Sequence, residues 1–161
     1  MSTKKLVLMA MLVAIAVAGS AFVSFPAGVA RAYPVQHAIN VMAGVLFGPG
    51  PAVAIAFVTG LIRILTGTGS LLAFPGGMIG AALAGLFYLW SGRVWLAAAG
   101  EIIGTGVIAS LVAVPYAAIL MGTEAGFFYF MPAFLASSIS GAVIGVVTSK
   151  KMKNAAFSLH N

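Results

Sequence analysis

Apolar residues run along this chain in six long stretches, each closed off by glycine, proline or a small group of charged residues. Read between these breakers, the pattern predicts helices over about 6–24, 34–47, 52–65, 76–90, 94–120 and 127–148. The first stops ahead of Phe25-Pro26, and the second opens on Pro34, a residue suited to a first helical turn. Gly48-Pro49-Gly50-Pro51 reads as a turn between the second and third helices, and Gly67-Thr68-Gly69 as a loop after the third. Pro115 falls inside the fifth helix, where it removes a backbone hydrogen bond and predicts a bend. Pro132 reads as a first-turn proline of the sixth.

Composition turns this pattern into a class. Hydrophobic residues make up 62% of the chain and charged residues 6%, against roughly 25% charged in a soluble domain. A hydrocarbon core about 30 Å thick takes about 20 apolar residues per helical crossing. The expectation is an all-α integral membrane protein of the cell membrane, one transmembrane domain over 1–161 with six spans. The second, third and fourth are short for a full crossing.

Charge gives the expected orientation. Lys4, Lys5, Arg93, Lys150, Lys151 and Lys153 fall on one side of the predicted spans, Arg31 and Arg63 on the other. Positive residues in short flanks mark the cytoplasmic side, so both termini are expected there. The formal charge of +6 is then mostly topology, with no basic patch left for nucleic acid. Helix 1 has a competing reading as a signal peptide, with two lysines, an apolar run and small residues near Ser20. Its apolar run is long for that, and cleavage would leave five spans. Cysteine is absent, which excludes disulfides and thiolate metal sites.

Lipid gives helices no hydrophobic reason to associate, so small residues that allow close approach carry the packing. Ala52, Ala56 and Gly60, Gly100 and Gly104, and Gly141 and Gly145 all have the four-residue spacing. Ala10, Ala14 and Ala18 form a similar stripe on helix 1, which either packs within the bundle or meets another membrane protein.

The few polar residues within the spans carry the functional information, because ionisable groups there are expensive. Glu101 is the foremost candidate, either as a buried partner of Arg63 or as a ligand-binding or proton-coupling group. Arg63 and Arg31 also read as simple interfacial or solvated arginines. Gln36, His37 and Asn40 are more specific: at the start of helix 2, with Asn40 one turn beyond His37 and also neighbouring Gln36, they bring two amides and an imidazole to a helix N-terminus. Phe74, in the glycine-rich 67–77 loop, is placed to stack on a flat ring, and Tyr116 lies beside the Pro115 bend. There is no aspartate, no H-E-x-x-H, no G-x-S-x-G and no nucleotide-binding motif. His160 is the only other histidine and sits in the tail. An enzyme, a metal site and a bound cofactor are therefore not expected.

Three segments carry a family resemblance: Pro34-Val35-Gln36-His37-Ala38-Ile39-Asn40-Val41, Leu72-Ala73-Phe74-Pro75-Gly76-Gly77 and Gly100-Glu101-Ile102-Ile103-Gly104-Thr105-Gly106. With six predicted helices and the alanine stripe, the chain resembles the ThiW family, substrate-binding (S) components of energy-coupling factor (ECF) transporters. The resemblance implies capture of the thiazole moiety of thiamin, hydroxyethylthiazole, at the outer face. It also implies a separate transmembrane coupling subunit, met by Ala10, Ala14 and Ala18, and two cytoplasmic ATPases. An S component's outer-facing site favours residues 31–40, the 67–77 loop and Tyr116, and fits Glu101 less well. The competing reading is an autonomous facilitator or proton-coupled carrier in which Glu101 titrates.

Overall fold

The computed structural model describes residues 2–28 and 30–158, with the side chains of 153–158 left aside. Six helices form the bundle: α1 Thr3–Phe22, α2 Pro34–Phe47, α3 Pro49–Leu65, α4 Ala73–Ser91, α5 Val94–Met121 and α6 Met131–Ser158. Four contain stretches long and apolar enough to cross a membrane: Thr3–Phe22, Ala73–Ser91, Val94–Met121 and Met131–Met152. The side chain of Lys153 and all of His160 lie outside what is described.

Local chemistry explains the limits of these helices. Ser2 caps α1 by accepting from the Lys5 amide. Only Gly48, at φ 81°, breaks the chain between α2 and α3. Pro49 and Pro51 are taken into the first turn of α3, where the missing N–H costs nothing. For the same reason α4 opens at Ala73, so Phe74, Pro75 and Gly76 are helical and not part of the preceding loop. Residues 127–130 form turns, and α6 starts at Met131, with Pro132 in its first turn.

Two features differ from a purely helical bundle. The segment between α1 and α2 is a short antiparallel hairpin, β1 Phe25–Ala27 and β2 Ala30–Ala32, with Pro26 opposite Arg31. Within α5, Ile102–Ala109 is wound as a π-helix between α-helical halves. The α-helix runs on through Pro115, so the irregularity lies upstream of the proline.

At 14 residues, α2 spans ~21 Å, well short of the hydrocarbon core. Ten of its residues are buried, including Gln36, His37 and Asn40. It is the central strut of the bundle, and its short length is enclosed by protein. Glycines bring its neighbours in. A β-carbon on Gly141 of α6 would sit 2.5 Å from His37 Cβ, and one on Gly145 would sit 2.8 Å from Val41 Cβ. One on Gly44 of α2 would meet the Gly85 amide of α4 at 2.8 Å. Gly77 of α4 lies against Gln36, so the contacts of both pairs rise together in residue number and α2, α4 and α6 run parallel. Gly100 and Gly104 of α5 meet Leu83 and Gly80 of α4 in the opposite sense. The first turns of α2, α4 and α6 thus lie at one end of the bundle. At the other end Lys5 lies over the Phe47 ring and Lys150 over Trp95.

Candidate functional site

A cavity of about 110 Å³ opens where those three first turns meet. Its volume is of the order of a cavity that takes one benzene-sized ring. Tyr33, Gln36 and His37 come from the start of α2, and Ala73, Gly76 and Gly77 from α4. Ala133, Phe134 and Ser137 of α6, Arg63 of α3 and Arg31 of the hairpin complete most of the wall. The hairpin is held over the bundle where the Tyr33 amide donates to Ser137 Oγ at 3.0 Å. Arg31 is exposed and donates through Nη2 to Ser24 Oγ at 2.8 Å. No side chain caps the first turn of α2, leaving its positive end towards the cavity.

Two buried ionisable side chains hold this wall, Arg63 as part of it and Glu101 behind it. Arg63 is 2% exposed. Its Nη1 donates to Gln36 Oε1, its Nη2 to the Thr68 carbonyl at 3.0 Å, and its guanidinium lies 3.9 Å from the Tyr33 ring centroid. Glu101 is wholly buried. Its Oε1 is 2.7 Å from His37 Nδ1 and accepts from Asn40 Nδ2 at 3.2 Å. The Thr105 hydroxyl, 2.9 Å from the same oxygen, shares its single hydrogen with the Gly76 carbonyl at 2.8 Å. Glu101 Oε2 and Arg63 Nε have no hydrogen-bond partner among the described residues.

The glycine-containing face of α4 makes room for the Glu101 cluster. A β-carbon on Gly80 would stand 2.6 and 2.7 Å from the two Glu101 oxygens and would overlap Thr105 Oγ1. Thr105 sits four residues beyond Glu101 at the start of the π segment's central turn, and its hydroxyl faces the same cluster.

The sequence candidates divide accordingly. Gln36, His37, Arg63 and Arg31 line the cavity. Asn40 and Glu101 lie one layer below, bonded to each other and to His37. Glu101 pairs with His37 and not with Arg63, whose guanidinium instead donates to Gln36 and to the Thr68 carbonyl. Phe74 points away from the cavity, stacked on Phe57 with ring centroids 5.4 Å apart. Tyr116 is half-buried outside the wall. The aromatic walls are Tyr33 and Phe134 instead; Tyr33 lies in the 31–40 segment and Thr105 in the 100–106 motif, neither with a role of its own in the sequence reading, while Phe134 and Ser137 stand outside it. Thr105 carried a legible signal, its i+4 spacing from Glu101; Phe134 looked like any other apolar residue of α6.

Ala10, Ala14 and Ala18 do not line the cavity. All three are exposed and floor an apolar groove of about 530 Å³ whose far wall is Val58 and Ile62 of α3. Among the described residues no group of three histidine, cysteine or acidic side chains could hold a metal ion. Compared with known families, residues 6–155 match the family model described as thiamine-precursor transporter protein (ThiW). No curated protein matches the chain.

Proposed function

Given that the chain belongs to the ThiW family of thiamine-precursor transporter proteins, a multi-pass membrane protein, we propose that it is the substrate-binding subunit of an ECF-type importer. On this reading it captures the thiazole precursor of thiamin and performs no chemistry itself. The observation that carries the reading is the cavity at the shared start of α2, α4 and α6. It has room for one small ring, two aromatic side chains to flank it, and polar atoms of Gln36 and His37 to orient it. A ring nitrogen and a hydroxyl on a flat thiazole suit that wall.

In this reading the cavity faces outward and both chain ends lie in the cytoplasm, in keeping with the lysines gathered at the opposite end of the bundle. The alanine-floored groove on α1 is the surface offered to the coupling subunit, since small residues let a second helix approach closely. Two cytoplasmic ATPases then supply the energy.

The test is direct binding to detergent-purified protein of hydroxyethylthiazole, thiamin and the thiamin pyrimidine. Thiazole is expected to bind at least tenfold more tightly than the other two, and His37→Ala to weaken it at least tenfold. Equal or absent binding of the thiazole would remove this substrate. Ala14→Trp is expected to leave binding intact while abolishing co-purification with a coupling subunit. Thiazole transport into liposomes by the chain alone would instead favour an autonomous carrier.

A further inference from the structure

Gln36 and His37 both line the cavity, and each keeps one side-chain polar atom, Nε2, without a hydrogen bond among the described residues. Each is held by a neighbouring side chain whose contacting atom hydrogen-bonds in only one sense. Arg63 has donors and no acceptor, so the Gln36 atom it touches is the amide oxygen. The Gln36 amide nitrogen is thereby turned to the other side. It lies over Gly77, where a β-carbon would come within 2.7 Å of it, and Gly77 is part of the cavity wall.

Glu101 works in the opposite sense. Its Oε1 accepts from Asn40 Nδ2, a group that only donates, and the same oxygen is met by His37 Nδ1 and Thr105 Oγ1. His37 Nδ1 therefore carries a hydrogen and donates it. In a neutral ring the remaining nitrogen, Nε2, is then a bare acceptor.

We propose that Arg63 and Glu101 are positioning residues that fix the polarity of the cavity wall, Gln36 as donor and His37 as acceptor, and so select an uncharged heterocycle with an unalkylated ring nitrogen and a hydroxyl. This rests on the thiazole reading above. The hydroxyl donates to His37 Nε2, and the ring nitrogen accepts from Gln36 Nε2. An N-alkylated thiazolium, as in thiamin, offers no lone pair to Gln36 and brings a cation towards Arg63. Discrimination between free thiazole and thiamin then follows from hydrogen-bond sense as well as from size.

The experiment uses the purified full chain and three ligands: hydroxyethylthiazole, its methyl ether and its N-methylthiazolium salt. The ether and the salt are each expected to bind at least tenfold more weakly, because each leaves one buried polar group unpaired. Arg63→Met is expected to abolish discrimination against the salt while keeping it against the ether. Glu101→Leu is expected to do the reverse. A merely structural role would weaken all three ligands alike. Nitrogen-15 NMR of His37 gives a reading independent of ligand and of folding variants. The chain has two histidines, and H160Q removes the second signal. Wild-type His37 is expected as the Nδ1–H tautomer.

Thiazole binding with an Nε2–H tautomer, or with ether and salt bound as tightly as the alcohol, would overturn the inference and leave the thiazole reading standing. An Nδ1–H tautomer with no thiazole binding would remove the thiazole reading, and the selectivity proposed here with it, while upholding the Glu101–His37 polarity.

Discussion

Glu101 shows how much hangs on one residue in this bundle. Its carboxylate ties α2 to α5 through His37 and Asn40 and meets Thr105 along its own helix. Deleting it would strand donors that each cost about 1–3 kcal/mol when buried unpaired. The more specific test is the glycine that gives it room. In Gly80→Ala the new β-carbon would press on both carboxylate oxygens, and overpacking of this kind costs about 1–3 kcal/mol. A clearly lowered melting temperature and weakened thiazole binding are expected together, and an unchanged protein would mean that α4 can back away from α5. Glu101, His37, Gln36, Asn40 and Arg63 were legible in the sequence because ionisable and amide side chains are conspicuous in apolar helices. Their pairing was not. Depth along a helix follows from counting residues, but the direction a side chain points depends on how neighbouring helices are rotated. That rotation is why Glu101 meets His37 and Phe74 turns to Phe57.

Among the elements, α2 is the least like a membrane span and the most important to the site. It is short, uncapped and almost wholly enclosed, and its position against α6 is set by backbone approaches at Gly141 and Gly145. In Gly141→Leu, a β-carbon 2.5 Å from both His37 Cβ and the Pro34 carbonyl must push the two helices apart. A stability loss near the upper end of about 1–3 kcal/mol is expected, with thiazole affinity reduced as His37 shifts. Ile139→Leu, on the exposed face of the same helix, serves as the control and is expected to change neither. The four-residue glycine spacing was visible in the sequence, but which partner each glycine admits was not. The hairpin at 25–32 and the π winding of 102–109 were also hidden. Both depend on local pairing and on packing against other helices, and neither leaves a periodic trace.

For the molecule as a whole, the consequence of parallel α2, α4 and α6 is a separation of roles. Their first turns build a cavity with a few polar side chains in its wall at one end, the other end gathers most of the lysines, and α1 turns its alanines outward beside α3. The proposed orientation can be checked in the cysteine-free chain. A single Thr123→Cys is expected to react with a membrane-impermeant maleimide added to intact cells, and Lys151→Cys only after permeabilisation. The reverse pattern would place the cavity on the cytoplasmic side and defeat the uptake reading.

By itself the sequence determined the class and the raw materials: an apolar helical membrane chain, its small-residue spacings, and a handful of polar side chains too costly to bury without purpose. Those are properties of single residues and their periodicity, written along one dimension. The tertiary structure alone decided which of those side chains share a cavity, that Tyr33 and Phe134 are its aromatic walls, and that Arg63 and Glu101 hold two different cavity-lining residues. These depend on helix rotation and close backbone approach, which arise only when the glycines of one helix meet the surface of another.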